Sequence, residues 1–476
     1  MLFNSIHFIL FFIIVTSLYF ILPQRYRWIL LLISSCYFYM AFIPVYILIL
    51  AFTIIIDYFA GIMLEKLSTN KRKIWLIASL ISNIGILAFF KYYNFLNNNL
   101  SVLLNTFGYH NYIPDLSIIL PIGLSFHTFQ AMSYTIEVYR GNQKAEKNFG
   151  IYALYVMFYP QLVAGPIERP QNLLHQFYEK HSLDLDRIVD GLKTMLWGFF
   201  IKLVIADRLA IYVNSIYNNP SQHTGPTLAL ATFFFAFQIY CDFAGYSNIA
   251  IGSAKIMGFK LMTNFNRPYF SSNISEFWKR WHISLSSWFK DYLYISLGGN
   301  RVSIPRWYFN LLLVFVISGL WHGANWTFII WGALNGFYLV FAIITTKFRT
   351  RFNSIIGLSN LPNLQKALQI IITFFLSCFA WIFFRSNSLS DALTIIKKIA
   401  SFKGSLFISN QSNLIYSIFG IIFLMLTEYN NEFLNARFSI LYHKNYYVRL
   451  FAYSSIIMLI LLIGVFDGGQ FIYFQF

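Results

Sequence analysis

The sequence predicts an all-α integral membrane protein, a multi-pass helical bundle with re-entrant or interfacial helices. Of its 476 residues, 58% are hydrophobic and only 11% are charged, against about 25% charged residues in soluble domains. Apolar runs recur along the whole chain, and several approach the roughly 20 residues that a spanning helix needs. Helices are expected because lipid-exposed backbone must satisfy its own hydrogen bonds.

The apolar runs predict about 11 to 13 membrane segments, some of them short or re-entrant. The first run has neither a basic n-region nor a small-residue cleavage site, so we expect it to stay in the protein as the first span. In chain order the runs are 3–22, 28–43, 45–64, 74–90, 117–136, 149–164, 192–213, 227–252, 308–320, 323–346, 367–384, 413–427 and 448–465.

Charge alternates between the loops that join the first five runs. Loops 23–27, 65–73 and 140–147 are basic, whereas the turn near Pro44 is uncharged and segment 91–116 carries one lysine and one aspartate. Basic loops stay on the cytoplasmic side of a membrane. The pattern therefore predicts that the N-terminus lies outside and that the three basic loops face the cytoplasm.

The net charge of +17 does not indicate nucleic-acid binding. The basic residues lie in short loops between apolar runs, where they set topology and contact anionic membrane lipids. Cys36, Cys241 and Cys378 all lie in apolar stretches without metal-ligand spacing. They predict buried thiols, with neither a metal site nor a disulfide framework.

Segment 273–301 has the period of one amphipathic helix, beginning near Ser275 and ending at Gly298–Gly299. Its aromatic residues recur every three or four positions, so they share a face, and that face includes His282. An aromatic face opposite basic residues suits a helix at the membrane interface. His282 by itself is either a packed residue with one hydrogen bond or a functional group.

Other ionisable residues lie inside apolar runs. His322 occurs in "SGLWHGANWTFIIWG" (318–332), and His127 in "PIGLSFHTFQ". Such residues are costly in a membrane and normally face a cavity or a partner, which makes His322 a catalytic candidate. Asp57 and Asp242 are either structural hydrogen-bond acceptors or partners that orient a histidine. No serine-hydrolase elbow, phosphate loop or zinc motif occurs in the sequence.

Several longer motifs resemble the membrane-bound O-acyltransferase family, in particular its bacterial alginate O-acetyltransferase-like branch. The resemblance covers nearly the whole chain and implies one transmembrane domain, 1–476, around a central funnel, with its catalytic region at about 240–336. The motifs are "LPIGLSFHTFQAMSYTIEVYRG" (120–141), "FYPQLVAGPIERP" (158–170), "YCDFAGYSNIAIGSAKIMGF" (240–259), "NFNRPYFSSNISEFWKRWHISLSSWFKDYLYISLGGNR" (264–301), "SGLWHGANWTFIIWGALNG" (318–336), "WIFFRSNSLSDA" (381–392) and "FIYFQF" (471–476).

The family's invariant histidine matches His322, and its second polar catalytic-region residue matches His282. The resemblance implies transfer of an acyl group from a cytoplasmic thioester donor, acetyl-CoA or an acyl carrier protein, toward a hydroxyl. A hydroxyl is a poor nucleophile, and a histidine near neutral pKa can accept its proton as it attacks. His282 would bind the acyl carbonyl, orient the donor or relay a proton.

Residues around the two histidines have expected supporting roles. Desolvation by tryptophans would favour neutral imidazole, and a glycine would leave room for the substrates. The pocket candidates are Trp281, Trp321, Gly323, Trp326 and Asp242. Basic side chains of Lys279, Arg280 and Arg301 would meet donor phosphates or simply anchor the segment at the interface.

The resemblance further implies O-acetylation of an exported polysaccharide in the bacterial cytoplasmic membrane. An outer-face acetyltransferase and the polysaccharide export machinery are the expected partners, and no bound cofactor or metal is expected. Two alternatives remain at this point. One is D-alanyl transfer to teichoic acid, performed by a neighbouring branch; the other is a non-enzymatic lipid or polysaccharide transporter, although no paired half-repeats are evident.

Overall fold

A computed structural model of the chain describes residues 1–117, 120–434, 441–466 and 471–472. Within these residues every regular element is a helix. The helices are α1 (Ile6–Ile21), α2 (Gln24–Met40), α3 (Ile47–Lys66), α4 (Thr69–Thr106), α5 (Leu124–Arg140), α6 (Phe149–Met157), α7 (Tyr159–Leu162), α8 (Pro170–Leu173), α9 (Leu185–Phe199), α10 (Asp207–Tyr217), α11 (Gly225–Met257), α12 (Ile274–Arg280), α13 (Ile283–Trp288), α14 (Ile304–His322), α15 (Trp326–Ile344), α16 (Thr346–Ile355), α17 (Pro362–Arg385), α18 (Leu389–Ser401), α19 (Gln411–Phe433) and α20 (Tyr446–Ile463).

Eight of the described helices are long and apolar enough to cross a membrane, namely α3, α4, α11, α14, α15, α17, α19 and α20. Helix α1 is apolar but shorter. The predicted all-α, multi-pass class is confirmed. The larger predicted number of segments reflects apolar runs that fold as short or interrupted helices: run 149–164 becomes α6 and α7, and run 192–213 is divided by a π-helical turn at Phe200–Ala206.

The chain forms two compact units, the first comprising residues 1–195 and 246–262 and the second 196–245 and 263–472. In the first unit a buried polar cluster joins α3, α4 and α5. The Asp57 carboxylate accepts hydrogen bonds from the Ser79 hydroxyl at 2.6 Å and from the Asn83 amide at 2.9 Å. The Ser79 hydroxyl oxygen also lies 3.0 Å from that of Thr135. These bonds support the structural interpretation of Asp57, because a buried carboxylate needs such partners.

In the second unit, close approach of α14 and α15 sets the position of His322. A Cβ atom added to Gly319 would lie 2.2 Å from the Phe328 carbonyl oxygen, and one added to Gly332 would lie 2.2 Å from that of Phe315. Only glycine permits this approach at both positions, since larger side chains would force the two backbones apart. Close packing against α15 therefore fixes the position of the end of α14, where His322 lies.

Helix α4 provides a test of topology. It continues to Thr106, beyond the predicted run 74–90, and its 38 residues make a helix about 57 Å long at 1.5 Å per residue. That length exceeds the roughly 30 Å hydrocarbon core, so a spanning α4 places its two ends on opposite sides. The positive-inside rule predicts that the basic start of the helix faces the cytoplasm.

We therefore expect a cysteine at Lys71 to react with an impermeant maleimide only after cells are opened, and one at Tyr109 to react in intact cells. Both positions are exposed. A background without Cys36, Cys241 and Cys378 removes competing thiols. Labelling of both positions from the same side would contradict the assigned topology.

Candidate active site

The segment that contains His282 is not one continuous helix. Trp281 and His282 separate α12 from α13, and His282 has left-handed backbone angles, φ 42° and ψ 55°. A π-helical turn, Phe289–Tyr294, follows α13. The prediction of one amphipathic helix here is wrong, although Gly298 and Gly299 follow it with positive φ values.

Long-range backbone hydrogen bonds explain the break. The Ile283 N–H donates to the Asn264 carbonyl at 2.8 Å, and the Asn266 N–H donates to the Arg280 carbonyl at 2.9 Å. In a continuous helix, the Ile283 N–H and the Arg280 carbonyl would bond one turn away along the same helix. Instead, both groups form hydrogen bonds with the loop before α12, and the chain changes direction at His282.

The Asn264 side chain determines the orientation of the His282 ring. Its Oδ1 atom lies 3.1 Å from His282 Nδ1 and accepts the Ser284 hydroxyl at 2.9 Å. Because Oδ1 is an acceptor, Nδ1 carries the proton and donates. The neutral ring then has Nε2 as its acceptor nitrogen.

His282 is buried and lies outside the eight spanning helices. Burial lowers the pKa of its imidazole to about 3, because desolvation penalises the charged form. The ring is therefore neutral at physiological pH. Phe243 contacts its face at a centroid distance of 4.5 Å, and Phe265 lies nearly parallel at 6.3 Å.

His322 is the last residue of α14 and is buried within aromatic side chains. Its ring lies 4.9 Å from Trp321, 4.9 Å from Trp331 and 5.4 Å from Phe384, in edge contacts. Trp331 and Phe384 come from α15 and α17. Three helices thus enclose the imidazole that the sequence singled out.

Trp321 connects the two histidines. Its ring centroid is 6.5 Å from that of His282 and 4.9 Å from that of His322. Trp281, also predicted to belong to the pocket, is buried and packs 5.0 Å from Trp381. The structure therefore brings His282, His322, Trp281 and Trp321 into one aromatic cluster.

Two predicted pocket residues have other surroundings. Trp326 is 50% exposed at the start of α15, while Trp331, which the sequence prediction missed, is 1% exposed and contacts His322. A Cβ added to Gly323 would lie 2.1 Å from the Phe328 ring. The Phe328 ring thus occupies the space that a side chain at position 323 would fill. Trp326 and Trp331 are five residues apart and so point about 140° apart around α15 at 3.6 residues per turn, which left the choice between them to the packing of α15.

Asp242 serves as a structural acceptor. One carboxylate oxygen pairs with Lys202 at 2.5 Å, and the other accepts the Ile472 N–H at 2.7 Å. His282 bonds to Asn264 instead. Of the two roles that the sequence allowed, the structural one fits Asp242. Asn264 and Lys202 were missed because neither has a distinctive spacing.

The three predicted phosphate-binding cations differ in their surroundings. Arg280 pairs with Glu276 at 2.7 Å and with Glu432 at 2.9 Å, so it fastens the His282 turn to α19. Arg301 lies exposed in the loop before α14. Of these three residues, only Lys279 lines the cavity beside the aromatic cluster.

That cavity has a volume of about 700 Å³ and lies between α12, α13, α14 and α15. Lys279, Lys290 and Arg349 supply positive charge, and Trp278 forms part of the apolar wall. The Trp278 ring also contacts Trp331 at 5.7 Å, and Trp331 contacts His322. Ring contacts between two tryptophans therefore connect the cavity wall to the catalytic candidate.

Comparisons with known proteins show which family the sequence is similar to. Residues 143–387 match the model of the membrane-bound O-acyltransferase family. The chain is 38% identical to a probable alginate O-acetylase of Pseudomonas aeruginosa, over 84% of this chain and 74% of the relative. It is 35% identical to a peptidoglycan O-acetyltransferase of Helicobacter pylori, over 79% and 74%.

A weaker similarity extends to another acyl transfer. A teichoic acid D-alanyltransferase of Bacillus subtilis is 28% identical over 57% of this chain and 70% of the relative. Both the identity and the covered share are lower than for the acetyltransferases.

Proposed function

This chain belongs to the membrane-bound O-acyltransferase family and is an acyltransferase, and from that premise we propose that it O-acetylates an exported cell-surface polysaccharide. The observation that carries this proposal is that two buried histidines, His282 and His322, both have ring contacts with Trp321. Relatives named for acetyl transfer to alginate and peptidoglycan support the acetyl group and the polymer class. Membership of an enzyme family disfavours the transporter alternative.

In the proposed reaction an acceptor hydroxyl attacks the thioester carbonyl. The C–O bond forms as the C–S bond breaks, His322 takes the hydroxyl proton, and that proton then passes to the leaving thiolate. The surrounding rings limit access of bulk water, which protects the thioester from hydrolysis. General base catalysis of this kind contributes about 10²- to 10⁴-fold.

The Asn264 contact narrows the roles of His282. With Nδ1 donating to Asn264, Nε2 presents a lone pair. A lone pair accepts a hydroxyl or amide N–H and cannot bind an acyl carbonyl oxygen. We therefore assign His282 to orienting a substrate N–H or O–H, or to relaying its proton.

The cavity is the proposed donor site. Segment 345–366 contributes Arg349 to its wall and contains four basic and no acidic residues. The positive-inside rule places such a segment in the cytoplasm, where acetyl-CoA and acyl carrier proteins occur. Lys279, Lys290 and Arg349 would bind the donor's phosphates. An outer-face acetyltransferase and the export machinery would receive the acetyl group across the bacterial cytoplasmic membrane.

The test uses the purified protein in liposomes with labelled acetyl-CoA, acetyl-carrier and D-alanyl-carrier donors. Acetyl transfer is the expected outcome, and transfer of D-alanine alone would favour the teichoic acid alternative. Lys279→Gln/Lys290→Gln should raise KM for acetyl-CoA about 30-fold, since two charge-assisted contacts worth roughly 1 kcal/mol each are lost and about 1.4 kcal/mol corresponds to a factor of ten.

Two controls isolate the phosphate contacts. S-acetyl-N-acetylcysteamine has the thioester but no phosphate, so its KM should not change in the double variant. Lys397→Gln/Lys403→Gln removes two exposed charges elsewhere and should leave both KM values unaltered. An equal rise with the phosphate-free donor would refute the phosphate-binding role.

A further inference from the structure

Residues 464–466 and 471–472, here called the distal segment, follow α20 and have no part in the proposed chemistry. The terminal motif "FIYFQF" begins in this segment, and its residues 473–476 lie outside the described part of the chain. Phe471 is 1% exposed and Ile472 is 3% exposed. Such burial beyond the last helix requires specific anchors.

The backbone of the distal segment is held at two places. The Val465 N–H donates to the carbonyl of Leu203 at 3.1 Å, within the π-helical turn that also carries Lys202. The Ile472 N–H donates to the Asp242 carboxylate at 2.7 Å. Arg208 also donates to the carbonyl of Ile463, the last residue of α20.

A buried charge cluster creates the second anchor. Lys202 lies between Asp207 at 2.7 Å and Asp242 at 2.5 Å, and all three side chains are buried. One cation faces two carboxylates, so the cluster has acceptor capacity that further donors must meet. The Ile472 amide is such a donor.

The side chains lead from the distal segment to His282. Phe471 packs against Phe243 at 5.2 Å, and Phe243 packs against the His282 ring at 4.5 Å. Asp242 and Phe243 are neighbours on α11, so one residue holds the segment's backbone while the next contacts its aromatic ring. The same short stretch of α11 therefore joins the distal segment to the candidate active site.

We propose that the distal segment is a positioning element of the active site: Asp242 holds its backbone so that Phe471 supports Phe243 against the His282 imidazole. The catalytic part of this inference rests on the proposed function. Phe471 acts through Phe243, so its loss should displace the ring without removing a reacting group. Small displacements of catalytic groups cost up to about 10²-fold in rate.

The first test is Phe471→Ala, with Phe471→Leu as the volume-retaining variant and Phe466→Ala as the control at an exposed position of the same segment. Phe471→Ala should lower kcat about tenfold or more with little change in donor KM. Phe471→Leu should retain most of the wild-type kcat. Carbethoxylation by diethylpyrocarbonate, followed by peptide mass spectrometry, should become faster at His282 but not at buried His127 in the other unit.

The second test compares Asp242→Asn with Asp242→Leu. Both leave Lys202 paired with Asp207, but only asparagine keeps an acceptor for the Ile472 amide. The leucine variant should show the faster carbethoxylation and lower kcat, and the asparagine variant neither. If Phe471→Ala fails to fold, the comparison of these two Asp242 variants still tests whether the distal segment positions the His282 ring.

Wild-type protection of His282 in folded Phe471→Ala and Asp242→Leu would overturn the proposal. So would equal acceleration at His127, which would indicate general loosening. Carbethoxylation needs no acyl donor, so it tests the position of the ring even if the protein transfers no acetyl group.

Discussion

Replacing His322 with alanine is expected to abolish acyl transfer while the protein remains folded in the membrane. The imidazole is enclosed by Trp321, Trp331 and Phe384, and no other described base lies in those ring contacts. Loss of a general base costs about 10²- to 10⁴-fold. O-acetyl content of the exported polymer is the measurement, taken together with membrane level and thermal stability.

His322→Gln separates proton transfer from packing. Glutamine fills much of the same space and forms hydrogen bonds, but it cannot accept the proton, so we expect it to be inactive as well. His127→Gln alters a buried histidine of the first unit and should retain acetylation. Wild-type acetylation in His322→Gln would exclude the proton-transfer role. Parallel loss of folded protein and of acetylation would instead assign the residue to packing.

His282→Ala is expected to reduce acyl transfer by about 10²-fold or more, within the range for a proton-transfer or orienting residue. Its membrane level should remain near that of the wild type. Alanine, like histidine, has a Cβ atom and therefore keeps the strain of the positive φ of 42° at this position. A left-handed residue with a Cβ costs roughly 1–2 kcal/mol.

His282→Gly distinguishes the backbone from the imidazole. Glycine adopts the left-handed conformation without that cost, so it should fold at least as well as the alanine variant and be equally inactive. Asn264→Leu, which removes the acceptor for Nδ1, should lower activity by a smaller factor with the imidazole still present. Full acyl transfer by the glycine variant would assign His282 to packing.

Local patterns predicted the class of the protein and its two central residues. Hydropathy and the scarcity of charge predict an all-α membrane protein, because lipid leaves helices as the default structure. His322 stands out for a related reason: an ionisable group in an apolar run is costly and normally faces a cavity or a partner. The motif around His282 identified the second histidine, although its period predicted the wrong local structure.

Tertiary contacts decided the geometry around those residues. The break at His282 depends on hydrogen bonds to Asn264 and Asn266 in the preceding loop, which helical periodicity does not register. Arg280 forms an ion pair with Glu432, more than 150 residues away in the chain. This ion pair occupies the guanidinium that the sequence suggested for binding donor phosphates. Hydropathy and spacing describe neighbours along one helix, whereas these contacts join groups that only folding brings together.

The choice among tryptophans has the same origin. Trp326 and Trp331 occur in one apolar helix, and their identity alone does not show which ring lies inside. The glycines of α14 and α15 bring the two helices together, and that packing places Trp331 against His322 and leaves Trp326 half exposed. Composition determined that aromatic rings would surround the histidine. The rotation of α15 against α14 determined which of these rings contact it, because burial depends on the neighbouring helix as well as on the residue.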